Sequence, residues 1–150
     1  MLTTVIRATV IDHFEEIVYF TEGIESVKNS KLKTIMNEVC DFYGGAAYLE
    51  AALAPSGYRS IGMQEYWLLV ALDQPVYYIS YAVSALASIS IFNMAQTDYD
   101  GALEAYRKLV EEINYEKGFL GNLEQNGIPS PFDEVTFTSI KSICEGFMAD

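Results

Sequence analysis

The sequence predicts an all-α fold, a single-domain helical bundle covering residues 1–150 and built around a buried central helix at about residues 75–96. Three observations support this prediction. Apolar residues recur at three- and four-residue spacing in most segments, which is the period of an amphipathic helix. No segment sustains the apolar–polar alternation of a strand. The run PVYYISYAVSALASISIFNMAQ also carries no charged residue between Asp73 and Asp98, as is typical of a helix enclosed by protein.

The central helix has a recognisable start and a packing face. Pro75 suits its first turn, because proline lacks the N–H that a helix start leaves unbonded and its φ is already nearly helical. Small side chains recur at helical spacing along one side, so that another helix could approach closely. These are Ser80, Ser84, Ala87, Ser88 and Ile91. The run is long enough for a membrane span, but its four serines, two amides and three tyrosines favour a protein core, and we expect no membrane partner.

The remaining segments carry the periodicity and the end signals of shorter helices. We predict helices at about residues 3–21, 30–42, 60–72, 101–115, 119–125 and 131–147, with a weaker one over AAYLEAALA before a turn at Pro55–Ser56–Gly57. Thr97 and Ser130 are expected as N-caps, and Asn126–Gly127 as a left-handed C-cap. The expected inner face of the 101–115 helix consists of Leu103, Tyr106, Leu109, Val110 and Ile113.

Composition and charge limit the possible partners. A net charge of −12, from 21 acidic and 9 basic residues, argues against nucleic-acid phosphates and anionic membrane surfaces as partners.

The cysteines and the N-terminal residues indicate the compartment. Cys40 and Cys144 lie far apart without a CxxC motif, which indicates buried thiols in a reducing compartment. The N-terminal residues lack a signal-peptide pattern, since Arg7, Asp12 and His13 interrupt the apolar run. We expect a cytoplasmic protein.

Catalytic motifs are scarce in this sequence. The chain contains one histidine, His13, so HExxH and every other two-histidine metal site are absent from it. No glycine-rich phosphate loop and no GxSxG motif is present. Acidic pairs such as Glu15 and Glu16 are read as the solvated face of an amphipathic helix. We therefore expect no metal ligands, no cofactor and no catalytic residues in this chain.

Three tyrosines near the start of the central helix are the candidate binding residues. Tyr77 and Tyr81 are separated by one helical turn and Tyr78 lies beside them, which predicts a cluster of phenol groups. Such a cluster is either a set of amphipathic core residues with hydroxyls at the edge of the bundle, or a surface that binds a ligand. Spacing alone does not separate these two interpretations.

A family resemblance gives the tyrosines a possible role. The run PVYYISYAVSALASISIF, followed by DYDGALEAYRKLVEE and GFLGNLEQNGIPSPFDEVTF, resembles the closing segment of the oligoendopeptidase F and thimet oligopeptidase family of zinc metallopeptidases. Typical runs in that family are PFYYISYA or PFYVYQYATG. VIDHFEEIVY is similar to the family's vDeFq..vY segment. The resemblance implies the helical C-terminal fold of these peptidases, and it is strongest from Pro75 to Phe137.

The resemblance also implies what this chain lacks. Members of the family hold zinc with an HExxH helix and a downstream glutamate, which precede the matched region. In the family, a histidine before the matched proline and tyrosines after it face the scissile carbonyl. Val70 stands at that histidine position here, whereas Tyr77, Tyr78 and Tyr81 match as substrate-binding residues. We expect the isolated chain to be inactive.

Two classes of function follow from these expectations. In the first, the chain is the C-terminal helical region of an oligoendopeptidase F-like enzyme, either separated from it as a fragment or working with a separate chain that bears HExxH and zinc. In the second, it is a non-catalytic helical module that binds a peptide or protein and self-associates through the tyrosine end of the central helix and the neighbouring Tyr66–Trp67 segment. The expected partners are therefore a peptide, a second copy of the chain or the zinc-bearing chain.

Overall fold

The computed structural model describes residues 1–23, 26–45, 47–49 and 62–148. Seven helices are bounded within these ranges, and no strand occurs in them, so the predicted all-α class is confirmed. They are α1 (Leu2–Phe20), α2 (Asn29–Phe42), α3 (Met63–Asp73), α4 (Ile79–Thr97), α5 (Tyr99–Glu111), α6 (Gly118–Gln125) and α7 (Glu134–Met148). Several predictions concern residues outside the described part. These are most of the AAYLEAALA segment, the Pro55–Ser56–Gly57 turn, the predicted helix start at Ser60, and the side chains of Cys144 and Phe147.

The chain divides into two compact units, Met1–Ala82 and Val83–Asp150, with the boundary inside α4. In the first unit, α1, α2 and α3 pack against one another around one apolar core. Its largest fully buried side chains are Trp67, Phe14, Ile11, Met36 and Leu49. The prediction that Trp67 contributes to an exposed interface is therefore wrong, because its side chain fills this core. Burial of such side chains is the main favourable contribution to folding, at about 1.5–3 kcal/mol each. That the whole chain forms a single domain stays a prediction.

The second unit has a smaller core made by α4, α5 and α6. Ala87 of α4, Ala105 of α5 and Leu123 of α6 are buried together with Ile128, and partly buried Ile91, Met94 and Leu109 pack against them. Two of these four core residues are alanines, so the helices bury little volume for each contact. Gly127 follows α6 with φ of 67°, a left-handed conformation that suits glycine and confirms the predicted Asn126–Gly127 helix end.

The central helix starts later than predicted. Pro75 does not begin α4, because α4 starts at Ile79 and residues 75–78 form turns. Val76 has φ of 61°, which no right-handed helix can contain and which is strained for a β-branched residue. Proline geometry is equally suited to turns, so Pro75 alone could not distinguish a turn from a helix start.

The predicted stripe of small residues on α4 is only partly buried. Ala87 is 5% exposed, whereas Ser80 and Ser84 are exposed and Ser88 is half-buried. The buried residues of α4 are Ala82, Ala85, Leu86, Ala87, Ile89 and Ser90. By length and composition alone α4 would also pass as a membrane span, a test that core helices of soluble proteins pass as well.

Replacement of Ala87 by leucine should lower the free energy of unfolding by roughly 1–3 kcal/mol, because the added atoms have no free volume in the second core. The matched control is Ser84→Leu on the exposed side of α4, which we expect to change stability by no more than about 0.5 kcal/mol. Urea denaturation followed by far-UV circular dichroism measures both. Equal stability of the two variants would contradict this arrangement of α4.

The predicted inner face of the 101–115 segment is wrong at four of its five residues and holds for Leu109, which is partly buried against the second core. Leu103, Tyr106, Val110 and Ile113 are each about half exposed, and the buried residues of α5 are Ala102 and Ala105. At about 100° per residue, the two alanines and the large apolar side chains occupy adjacent sectors of one wide apolar arc. The packing selects the alanine sector and leaves the large side chains accessible.

Neither predicted N-cap lies directly before its helix in the structure. Asp98, not Thr97, caps α5, because its Oδ1 accepts the N–H of Gly101 at 2.9 Å. The Thr97 hydroxyl instead donates to the carbonyl of the preceding helical turn. The last helix begins at Glu134 rather than directly after Ser130, although the Ser130 hydroxyl still accepts a backbone N–H in the turn before it. An aspartate is as strong a cap as threonine, so only the backbone decides which is used.

Candidate functional site: the tyrosine cluster

Tyr77, Tyr78 and Tyr81 lie together, as the sequence predicts. Their ring centroids are 5.8 Å apart for Tyr77 and Tyr78, 5.3 Å for Tyr77 and Tyr81, and 5.6 Å for Tyr78 and Tyr81. Two of these pairs are edge-to-face, the arrangement that aromatic rings prefer. Tyr78 packs against the first core, whereas Tyr77 and Tyr81 are 48% and 44% exposed. One ring therefore anchors the cluster, and two present polar edges to solvent.

The two exposed phenols form a hydrogen-bonded pair. The hydroxyl oxygens of Tyr77 and Tyr81 are 2.9 Å apart. Each phenol has one proton, so the phenol that donates within the pair leaves its partner's proton free to bond outwards. The phenol that accepts the hydrogen bond within the pair is polarised by it, so its own O–H becomes a stronger hydrogen-bond donor. The hydrogen bond to Tyr77 also raises the pKa of Tyr81, so the Tyr81 hydroxyl keeps its proton at neutral pH. The pair can therefore offer one strengthened O–H donor.

A buried carboxylate positions the start of this cluster. Glu15 of α1 is 6% exposed, and its Oε2 accepts the backbone N–H of Val76 at 3.0 Å. That bond joins residues 61 positions apart in the chain and holds Val76 in its strained conformation. Because Val76 directly precedes Tyr77, Glu15 is a positioning residue for the tyrosines.

The sequence interpretation of Glu15 as a solvated residue is wrong. The other carboxylate oxygen, Oε1, is buried and has no hydrogen-bond partner within the described ranges. Burial raises the pKa of Glu15, and the negative charge of Asp12 adds to this rise, while the Val76 N–H opposes it. The signal was present in the sequence, since Glu15 continues the apolar spacing of Ile11 and Phe14 on the inner face of α1.

Replacement of Glu15 by glutamine should remove a pH-dependent loss of stability. A carboxyl whose pKa is raised on folding binds its proton more tightly in the native state, so its contribution is full below about pH 4.5, the ordinary glutamate value, and is lost as pH rises through the folded pKa. Glutamine keeps an acceptor for the Val76 N–H but does not titrate. The stability of the variant relative to the parent should therefore increase from pH 5 to pH 8.

Glu22→Gln is the control, because Glu22 is exposed and the substitution removes the same charge. Urea denaturation monitored by Trp67 fluorescence at pH values between 5 and 8 provides the measurement. A Glu15→Gln curve that parallels that of Glu22→Gln would show that Glu15 does not titrate differently in the native state.

Other candidate groups do not join the cluster in a catalytic arrangement. The His13 ring packs edge-to-face against both Phe42 and Tyr43, at 5.4 and 5.7 Å between centroids, and its Nδ1 is buried without a hydrogen-bond partner among the described residues. Val70 is half-buried against the first core. Burial raises the pKa of the Cys40 thiol to about 11, which keeps it an unreactive thiol.

The residues present do not fit the zinc centre that the family resemblance implies. Within the described ranges, no group of three or more His, Cys, Asp or Glu side chains could hold a metal ion. A catalytic zinc requires three protein ligands and an open position. Comparison of the chain with protein-family models, with curated proteins and with solved structures found no match.

Proposed function

We propose that this chain is a catalytically inactive helical module that binds peptides, and that Tyr77, Tyr78 and Tyr81 contact the peptide backbone. The observation that carries the proposal is the exposed phenol pair, with its one free and polarised O–H donor. A peptide carbonyl is a matching acceptor. The resemblance to the C-terminal region of oligoendopeptidase F-like enzymes supports the same role, since the matched tyrosines face the substrate in that family.

No hydrolytic step is part of the proposal. Cleavage of a peptide bond requires an activated water or a nucleophile, and the chain has one histidine and no HExxH motif. If this module serves a peptidase, a separate HExxH-bearing chain supplies the zinc, and the tyrosines contribute binding only.

Binding of a fluorescein-labelled, unstructured decapeptide, measured by fluorescence anisotropy, tests this proposal. We expect the double variant Tyr77→Phe/Tyr81→Phe, which has no phenol O–H left in the pair, to weaken binding by roughly 2- to 10-fold, the effect of one hydrogen bond. Tyr19→Phe, at an exposed position on α1, should leave the affinity unchanged. Mass spectrometry after incubation with zinc should recover the peptide intact.

Three results would contradict the proposal. Zinc-dependent cleavage by the purified chain would show that it is an enzyme. Parent-like affinity of the double phenylalanine variant would show that the phenol pair does not contact the peptide. Concentration-dependent sedimentation that Tyr77→Ser and Tyr81→Ser abolish, without any peptide binding, would instead assign the cluster to self-association, the other function that its exposure allows.

A further inference from the structure

Helix α5 exposes a continuous row of large apolar side chains, here named the α5 stripe. Tyr99, Leu103, Tyr106 and Val110 follow one another at intervals of four, three and four residues, which is the spacing of a coiled-coil seam. Their exposed fractions lie between 52% and 67%. Among the described residues, no side chain buries any of these four completely. A helix with a matching apolar seam could therefore pack along the row.

An apolar groove continues from the C-terminal end of the stripe. It has a volume of about 410 Å³ and is lined by Leu109, Val110, Ile113, Asn114, Tyr115, Gly118, Phe119 and Asn122. This volume is within the usual range for a site that encloses a ligand group. The buried Asn122 side chain fixes the groove's loop, because its Oδ1 accepts the Asn114 N–H at 2.8 Å and its Nδ2 donates to the carbonyls of Asn114 and Gly118. The groove is thus held in shape and can accept a large side chain.

The charges around this surface are arranged unevenly. On the flank of α5, Arg107 donates to Glu104 and Glu111, and Lys108 lies 3.5 Å from Glu104. Hydrogen bonds from Arg107 lower the pKa of Glu104 to about 2, and the network's two acidic and two basic residues give it no net formal charge.

Acidic residues without a paired cation stand at both ends of the surface. They are Asp98 and Asp100 before the stripe and Glu112 and Glu116 beside the groove, and no ion pair within 4.0 Å joins any of them to a cation among the described residues. Lys117 is the opposing charge in the same loop. The ends of the surface therefore favour a partner with positive charge.

We propose that the α5 stripe and its groove bind an amphipathic helix from a basic protein partner. The heptad spacing of the stripe matches a partner helix, and the groove accepts a large side chain from the end of that helix. The four acidic residues favour lysine or arginine on the flanks of the partner helix. A second copy of this chain fits less well, because each copy has a net charge of −12. Neither the α5 stripe nor the groove contains a residue of the tyrosine cluster, so the proposal does not depend on the peptide-binding role of that cluster.

The probe is a labelled synthetic helix of three heptads with Leu and Ile at the a and d positions and Lys at e and g, which stays monomeric through its own charge repulsion. We expect saturable binding in an anisotropy titration with the full chain. Val110→Lys should weaken it by roughly 10-fold or more, since it places a charge in the seam. Val135→Lys, at a 73% exposed position on α7, should leave it unchanged.

Two further peptides and one measurement on the protein alone complete the test. A scrambled peptide of the same charge should not bind, and a version with Glu at e and g should bind more weakly than the Lys version. Binding of the scrambled peptide with equal affinity, an unchanged affinity of Val110→Lys, or no binding of the Lys peptide would each overturn the proposal. Dimerisation of the parent that Val110→Lys abolishes would overturn it too, because the occupant would then be a second copy.

Discussion

Replacement of Trp67 by alanine should lower the free energy of unfolding of the first unit by about 3–5 kcal/mol. Trp67 is the largest fully buried side chain of the protein's described residues and lies on α3, in the core that α1 and α2 share. Its removal leaves a cavity larger than the surrounding helices can close without losing their own contacts. Native domains have a total stability of about 5–15 kcal/mol, so the variant should be close to unfolded at 37 °C.

Two other variants separate the cavity from other causes. Trp67→Phe keeps most of the volume and removes the Nε1–H, which is buried with no partner in the part of the chain that the structure describes, so it should cost less than half as much as alanine. Leu69→Ala, on the same helix but 54% exposed, should cost no more than about 1 kcal/mol. Far-UV circular dichroism must report the urea transition, because Trp67 is the chain's one tryptophan. An alanine variant as stable as the phenylalanine variant would contradict this account.

The helical class and most helix ends could be predicted because local signals determine them. The breaks after α1, α2 and α6 coincide with Gly23, Gly44–Gly45 and Gly127, all at positive φ, where a side chain would be strained. A glycine of this kind stops a helix whatever lies around it. The predicted helices therefore end within a residue or two of the observed ends at these places.

Backbone conformations and side-chain roles that depend on tertiary contacts could not be predicted from local signals. Val76 adopts a left-handed conformation because a carboxylate 61 residues earlier accepts its N–H, and no local pattern reveals that bond. This contact moves the start of α4 from Pro75 to Ile79. The spacing of Tyr77 and Tyr81 predicts that they lie within one helical turn of each other. Their hydrogen bond and the positioning role of Glu15 depend on the backbone conformation of residues 75–78, which the spacing does not give.

The buried face of α5 shows a different limit. Its pattern gives a wide apolar arc, and the choice between the alanine sector and the sector of large side chains depends on how closely α4 and α6 approach. Close packing selects Ala102 and Ala105. Periodicity identifies an apolar face, but it does not distinguish the face that packs in the core from one that is open to a partner.

Replacement of Asn122 by aspartate should destabilise the second unit by about 3 kcal/mol or more at neutral pH. The aspartate has the same shape, so no cavity forms, but its second oxygen would face the carbonyls of Asn114 and Gly118, to which the asparagine Nδ2 donates at 2.8 and 2.6 Å. Two hydrogen bonds would be lost, and a charge would be placed at a position that is 5% exposed. Asn126→Asp is the matched control, since the half-buried Asn126 donates one bond, to the Asn122 carbonyl. We expect it to cost about 1 kcal/mol.

The defect of Asn122→Asp should also depend on pH, which separates it from a simple loss of packing. Burial and the facing carbonyls raise the pKa of the new carboxyl, and its protonated form can donate to one of the two carbonyls again. Its destabilisation should therefore decrease between pH 8 and pH 5.5, a range that lies above the isoelectric point of about 4.3. Hydrogen exchange of the amides in α5 and α6, compared with those of α1 to α3, measures the effect within the second unit. A loss of stability equal at both pH values, or equal to that of Asn126→Asp, would show that the Asn122 amide does not hold the loop through these bonds.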